Sequence, residues 1–370
     1  MSDLPWLTII GLGENGPEGL TDATRKALSE AEIIMGPPRH LSLLPDTGAT
    51  RVEWPVPFAD GVQHLLTLRG RRVVVLASGD PFWFGAGTVL ARYLTPTEWT
   101  AHPGPSVFSL AAAKLGWGIE GVTCLGLHAA PLSRLRPHLA QDARLIVLLR
   151  DGDAVGELAT YLTEIGFGTS QLEVFEAIGG PNQTQTSCTA KTLPDRRFAH
   201  PVCAAITCAG GAALPRASGL PDSYFDSDGT MTKRPVRALT LSALAPRPSE
   251  HLWDIGGGSG SVSVEWCLAA PGARAITFGP RRERLENIRA NAARFGLSHR
   301  MVAVQGKAPE VQTGHALPDC VFIGGGGSEA LLEPLWMILP EGTRIVANGV
   351  TLETETLLMQ AHARLGDAAS

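Results

Sequence analysis

The 370-residue chain contains no C-x-x-C pair: Cys124, Cys188, Cys203, Cys208, Cys267 and Cys320 lie scattered. That excludes the usual zinc and thioredoxin-like motifs and predicts reduced thiols in a cytoplasmic protein, with no disulfide and no metal site. A basic excess is lacking too, since the formal net charge is -5, so no nucleic-acid partner is expected. No apolar run approaches the ~18 residues of a membrane span. Met1 to Ile10 carries Asp3 and no Lys or Arg before a short apolar stretch, which does not read as a signal peptide, and no membrane partner is expected. Repeats and low-complexity tracts are also missing. What remains is 44% hydrophobic, with 42 glycines and 27 prolines, enough to build two or three globular domains with turn-rich loops.

One further absence bears on chemistry. The run Asp254-Ile255-Gly256-Gly257-Gly258-Ser259-Gly260-Ser261 follows an apolar stretch and opens a helical one, as a dinucleotide fingerprint would. The last glycine of G-x-G-x-x-G, which lets the helix pack close to its strand, is replaced by Ser261. The pattern present is G-x-G-x-G, which favours S-adenosylmethionine over a nicotinamide. Glycine there lets backbone approach a ligand closely at a helix start.

Apolar runs alternate with helical periodicity along most of the chain. Leu7–Ile10 reads as a buried strand before a glycine loop, and Thr21 as the N-cap of a helix ending near Ala31. Strands follow at 33–35, 73–77 and 122–127, with helices at 86–94 and 107–115. A second α/β unit reads as strands 145–149, 172–177 and 202–206 with a helix over 154–165. Between Gly210 and Gly229 the composition turns to Gly, Pro, Ser and Asp, which marks a linker. After it the spacing predicts helices over 233–244, 262–268, 282–295, 329–339 and 353–365. The interleaved strands are 252–255, 273–278, 301–304, 320–323 and 344–348. Such βαβ repetition implies a parallel doubly wound sheet with its ligand at the carboxyl ends of the strands.

Several segments together resemble a known family. Ile10-Gly11-Leu12-Gly13, Gly36-Pro37-Pro38-Arg39-His40-Leu41, Ser78-Gly79-Asp80-Pro81-Phe82-Trp83-Phe84-Gly85 and Pro103-Gly104-Pro105-Ser106 look like tetrapyrrole (class III) methylase signatures. Thr232-Lys233-Arg234-Pro235-Val236-Arg237, Gly256 to Trp266, Phe322 to Gly327 and Val346-Ala347-Asn348-Gly349-Val350-Thr351 resemble a class I methylase half. The chain is similar over nearly its whole length to the two-domain precorrin-6Y C5,15-methyltransferase (decarboxylating) family of cobalamin synthesis.

The resemblance implies an α/β protein with a tetrapyrrole methylase domain over 1–209, made of subdomains of about 1–103 and 104–209. A linker over 210–230 and a class I Rossmann-like methyltransferase domain over 231–370 follow. It implies two S-adenosylmethionine sites. One half methylates carbon 5 of a tetrapyrrole (precorrin) substrate; the other methylates carbon 15 and removes the ring C acetate carboxyl, giving precorrin-8X. No catalytic nucleophile is needed, because an electron-rich ring carbon takes the methyl once the reactants are aligned and water is excluded.

By matching position, cofactor contacts fall in the first half on Glu14, Gly79, Asp80, Trp83, Ser106 and Val107. In the second half they fall on Thr232, Gly256, Gly257, Gly258, Ser259, Gly260, Gly279 and Ala308. Arg39, His40, Lys233, Arg234 and Arg237 are candidates for the substrate's carboxylates. Asn348 is the candidate for contact near the reacting centre. His102 and His128 read as ordinary loop or strand-end histidines, and the four-glycine run at Gly324–Gly327 suggests that something bulky approaches it closely.

Two departures stand out. Class I methylases end the strand after the glycine loop in an acid that holds the ribose hydroxyls, and here that position is Gly279, with Glu283 as the nearest substitute. The family continues past the last helix through an antiparallel strand pair, whereas this sequence stops at Ser370, so the last two strands are expected to be missing and the strand at 344–348 to lie at an edge. These departures motivate the alternative of a single-site corrinoid methylase, or a corrinoid-binding scaffold, with an impaired second half. Family members commonly assemble into homo-oligomers, which the resemblance extends to this chain.

Overall fold

The computed structural model describes residues 5–308, 310, 314–349 and 351–365. The chain forms two compact units, one of residues up to Ala130 with Ala140–Ala212, the other of Pro131–Leu139 with the chain from Ala213 onward.

The first unit opens with β1 (Leu7–Leu12), α1 (Asp22–Glu30), β2 (Ile33–Gly36), α2 (Pro38–Leu43), β3 (Thr50–Glu53), α3 (Phe58–Thr67), β4 (Val73–Ser78), α4 (Ala86–Leu90) and β5 (Trp99–His102). These strands make a parallel sheet of order β3-β2-β4-β1-β5. Strand alternation sends Leu7 and Ile9 into the apolar cluster on one face, and Ile10 and Leu12 into the cluster on the other, so the central strands read as unbroken apolar runs. Thr21 caps α1 by accepting from Thr24 N at 3.3 Å.

Next come α5 (Val107–Leu115), β6 (Val122–Gly126), β7 (Arg144–Leu148), α6 (Asp153–Glu164), β8 (Gln171–Glu176), β9 (Thr184–Thr189) and β10 (Val202–Thr207). Their sheet, of order β6-β7-β10-β8-β9, is mixed: β6 and β7 run parallel, and the remaining pairs antiparallel. A buried Glu176 ends β8. It accepts from Thr184 Oγ1 at 2.6 Å, from Ala199 N at 2.6 Å and from Arg196 Nη2 at 2.5 Å, and the Arg196 guanidinium leads in holding its carboxyl down to about 2.

The second unit contains α7 (Arg234–Leu244), β11 (His251–Ile255), α8 (Ser261–Ala269), β12 (Arg274–Gly279), α9 (Arg282–Arg294), β13 (Met301–Gln305), β14 (Cys320–Ile323), α10 (Glu329–Ile338), β15 (Arg344–Ala347) and α11 (Leu352–Leu365). Its sheet is parallel throughout, in the order β13-β12-β11-β14-β15. The order reverses between β11 and β14, which opens a crevice at their carboxyl ends.

The stretch from Gly210 to Gly229 carries no α-helix or strand, as befits a connection, but it is not slack. Leu220 and Phe225 are buried in the core of the second unit. Gly219 N and Leu220 N both donate to the carboxylate of Glu265 on α8, at 2.5 and 3.0 Å.

Candidate functional site

In the first unit three backbone segments cross at the carboxyl ends of β1, β4 and β5. A Cβ on Gly11 would lie 1.8 Å from Gly79 O and 2.5 Å from Gly104 N, and Gly104 N donates to Gly79 O at 3.0 Å. Gly79 has φ of 53°, and a Cβ there would come 2.9 Å from Pro105 O. Only glycine fits such a crossing. Beside it lies a cavity of about 420 Å³ whose lining includes Glu14, Arg39, His40, Gly79, Asp80, Trp83, Ser106 and Val107. Asp80 Oδ1 accepts from Phe82 N at 2.8 Å and fixes the turn. The Trp83 ring rests on Phe108, with centroids 4.9 Å apart. Ser106 caps α5 by accepting from Ser109 N at 3.0 Å. Val107 opens that helix, so its N–H belongs to the first turn, which lacks intrahelical acceptors.

Arg39 and His40 form the polar corner of this cavity. Arg39 pairs with Glu14, and its Nη2 donates to His40 Nε2 at 2.8 Å and to Ser78 Oγ at 3.1 Å. An arginine only donates, so Nε2 is the accepting nitrogen and the ring proton sits on Nδ1. Burial, helped by Arg39, holds His40 down to about 4. The ring is therefore neutral near pH 7, and its contact with Arg39 orients that guanidinium.

In the second unit the turn after β11 runs through left-handed glycines, with φ of 73° at Gly256, 54° at Gly258 and 74° at Gly260. A Cβ on Gly256 would fall 2.6 Å from Gly325 O. The Gly256 turn thus packs backbone against backbone on Gly325 of the four-glycine run. Gly257 is equally confined, since a Cβ there would lie 2.0 Å from Thr277 Cγ2. Thr230 O passes 3.0 Å from the Cβ position of Gly258, which brings the segment leading to Thr232 alongside the turn.

Asp254, fully buried at the end of β11, accepts from Ser263 Oγ at 2.6 Å, and Ser263 Oγ lies 2.7 Å from Thr277 Oγ1. Its other oxygen, Oδ1, and the buried Ser259 Oγ have no hydrogen-bond partner among the described residues. Burial pushes the Asp254 carboxyl up to about 6. Buried polar atoms are almost always paired, and these two, both sealed from solvent, are exceptions beside the glycine turn at the start of α8. Gly279 ends β12, and the nearest atom to a Cβ there would be Leu285 Cδ2 at 3.9 Å, which leaves room for a side chain. Glu283 is exposed on the first turn of α9.

A family model described as tetrapyrrole (corrin/porphyrin) methylases matches residues 6–194, and one described as a precorrin methyltransferase domain matches residues 223–369. The precorrin-6Y C(5,15)-methyltransferase (decarboxylating) of a Sinorhizobium species is 46% identical over 369 residues, 98% of this chain and 89% of that protein. The protein of the same name from Mycobacterium tuberculosis (strain CDC 1551 / Oshkosh) is 39% identical over 97% of this chain and 91% of its own length. The chain belongs to the precorrin-6Y C5,15-methyltransferase (decarboxylating) family. Among solved structures, the C-terminal domain of that enzyme from Rhodobacter capsulatus is 63% identical, covering 41% of this chain and 81% of its own, with a TM-score of 0.40. The family is one of methyltransferases, and tetrapyrrole methylases use S-adenosylmethionine.

Against this family the remaining candidates separate by burial. Lys233 and Arg234 are exposed at the start of α7, beside Thr232, without ion pairs among the described residues. Arg237 is fully buried. Its Nε donates to Glu265 at 2.6 Å, Nη1 to Asp222 at 3.0 Å and to Thr232 O at 2.5 Å, and Nη2 to Leu220 O at 2.5 Å, while its guanidinium lies over the Phe225 ring. It is therefore a structural tie and not a substrate clamp. Asn348 follows β15, with its N donating to Ile323 O at 3.1 Å and its Nδ2 to Thr240 Oγ1 at 3.0 Å, so one amide hydrogen is committed to α7. Ala308 packs against the cluster that holds Ile255 and Phe278; Pro309, which follows it, and Val350, from the motif at 346–351, lie outside the described residues. His128, read from the sequence as an ordinary histidine, and His200, which the sequence did not single out, both line the first cavity, each held below the ordinary histidine value chiefly by burial. A lone histidine at a strand end carries no local pattern that would have singled it out.

Proposed function

We propose that this chain methylates precorrin-6B (6Y) at carbons 5 and 15 and decarboxylates the ring C acetate, giving precorrin-8X, with one S-adenosylmethionine site in each unit. The observation that carries this reading is the pair of glycine-built cradles at the carboxyl ends of parallel strands, one in each unit. When bound, S-adenosylmethionine supplies an electrophilic methyl group, so the chain needs positioning groups and no nucleophile of its own.

In the first unit the backbone of Gly79 and Val107 with Glu14, Asp80, Trp83 and Ser106 would hold the donor. Arg39, steadied by neutral His40, would meet a substrate carboxylate in place of Glu14. In the second unit Gly256 to Gly260, Thr232, Gly279 and Ala308 would line the donor site, and Asp254 Oδ1 suits its ammonium group. Lys233 and Arg234 supply charge for carboxylates. The second amide hydrogen of Asn348 is the group offered near the reacting carbon. The apolar walls of the first cavity exclude water, which strengthens the polar contacts made in the first unit.

Homo-oligomeric assembly belongs to the same reading, supported by exposed Trp336 and Met337 on α10 near the edge strand β15. So does residence in the cytoplasm, supported by six free cysteines; no helix among the described residues is long and apolar enough to cross a membrane. The decisive experiment is mass analysis after incubating precorrin-6B with the methyl donor. The expected product has gained two methyls and lost one carboxyl; one methyl with the carboxyl retained would restrict the activity to a single site.

A further inference from the structure

The second unit carries a group of cations that its donor cradle does not use. Ala275 of β12 is paired with Met301 of β13. Arg274 and Arg300, one residue earlier on each side, therefore stand together at the amino ends of these strands, at the opposite end of the sheet from Gly256 and Gly279. The Pro131–Leu139 segment belongs to this unit and lies against the same end. A Cβ on Gly296 would fall 2.1 Å from Ser133 O, so only a glycine after α9 lets the segment come so near. It brings Arg134 and His138, and Arg216 completes the set. His299 feels the charges of Arg134, Arg300, Arg274 and His138, while His138 feels those of Arg216 and Arg300.

No ion pair engages Arg134, Arg216, Arg274 or Arg300 among the described residues. Among the described residues Arg134 Nε is buried with no hydrogen-bond partner, and Arg300 Nη1 reaches only the carbonyls of Ala270 and Ala273, at 3.3 and 3.5 Å. The carboxylates at this end of the sheet are engaged elsewhere, Glu250 by Arg344 and Asp319 by the N–H of His251, so the guanidiniums have none paired to them and repel one another, and a counter-charge from outside the chain relieves that repulsion. We infer that this end of the second unit is a binding site for a small multivalent oxyanion, separate from both methyl-donor cradles. Guanidinium forks match carboxylate and phosphate alike. The anion is therefore either a free phosphate-type ion or the carboxylates of a tetrapyrrole; the second source rests on the function proposed above and the first does not.

Burial and the surrounding arginines hold His299 down to about 4, so a bound anion must raise its titration midpoint. The test uses the full chain, with inorganic pyrophosphate and uroporphyrin as separate probes, followed by calorimetry and by the NMR titration of His299. Saturable binding that moves the His299 midpoint from about 4 toward the ordinary 6.5 supports the site. Binding should weaken about tenfold in Arg300→Gln and in the exposed Arg216→Gln, as expected for loss of one charge-assisted bond. A response to pyrophosphate assigns the free-ion source, and a response to uroporphyrin alone assigns the tetrapyrrole. If neither probe moves His299, as would hold were the patch reserved for an acidic protein, or if both variants bind as the parent does, the inference fails. Arg216→Gln keeps the test valid should Arg300→Gln not fold.

Discussion

Asp254 concentrates the chemistry of the second unit in one residue. Its carboxyl, ordinarily near 3.8, is raised by burial to about 6, so the folded protein holds a proton that the unfolded chain has released. Stability from this group is therefore greatest below 3.8, falls as pH rises to about 6 and is flat above, a loss of about 3 kcal/mol. Asp254→Asn removes that loss while keeping an acceptor for Ser263. Without cofactor, the variant should outlast the parent in urea at pH 8 and match it near pH 3.5; parallel pH profiles for the two proteins would refute the assignment. The same substitution should weaken S-adenosylhomocysteine binding, because a cationic ammonium prefers the ionised carboxylate. Gly279 makes the converse case. Its Cβ position is open, so Gly279→Glu can supply the missing acceptor for the ribose. A charged hydrogen bond worth about 1–3 kcal/mol should tighten binding by about one to two decades. Calorimetry showing no gain would mean that Glu283 or backbone already fills that role.

At the scale of elements, the Arg237–Glu265 pair decides how the segment before α7 is held. Glu265 of α8 receives Arg237 of α7 together with the backbone of Gly219 and Leu220, so three pieces of chain meet at one buried carboxylate. Removing one partner of such a pair leaves the other charged and buried, at about 3–5 kcal/mol. Arg237→Met should show that loss in urea denaturation, whereas a substrate clamp would raise KM with stability unchanged. The sequence could not distinguish these roles, because an arginine one turn after Arg234 looks the same whether its side chain faces water or core. Elements followed the same division. Buried parallel strands such as Val73–Ser78 and Cys320–Ile323 stand out as apolar runs. The edge strands β3 and β9, largely exposed and written Thr-Arg-Val-Glu and Thr-Gln-Thr-Ser-Cys-Thr, offer no such run and pass for loop, as does β5 at the other edge of the first sheet. Helix α4 stops at Leu90, short of the Leu94 that periodicity suggests. The glycine cradles were readable because backbone crossings accept only glycine; the cavity histidines were not, since their burial arises from distant segments meeting in space.

For the whole molecule the question is whether the two cradles act as separate sites. Each is built from its own unit and they share no residue, so damage to one should leave the other's affinity in place, as for independent positions generally. At Gly79 the left-handed φ of 53° and the 2.9 Å approach of Pro105 O make any side chain costly. At Asp254 the loss is of charge, with little change of shape. Titrating the intact chain with S-adenosylhomocysteine should therefore reveal two binding events. Gly79→Ala should abolish one, Asp254→Asn should weaken the other about tenfold, and the constant of the untouched site should stay within about twofold of the parent's. A single event in the parent, or a Gly79→Ala substitution that silences both, would mean that one donor site serves both methylations and that the second glycine cradle has another occupant.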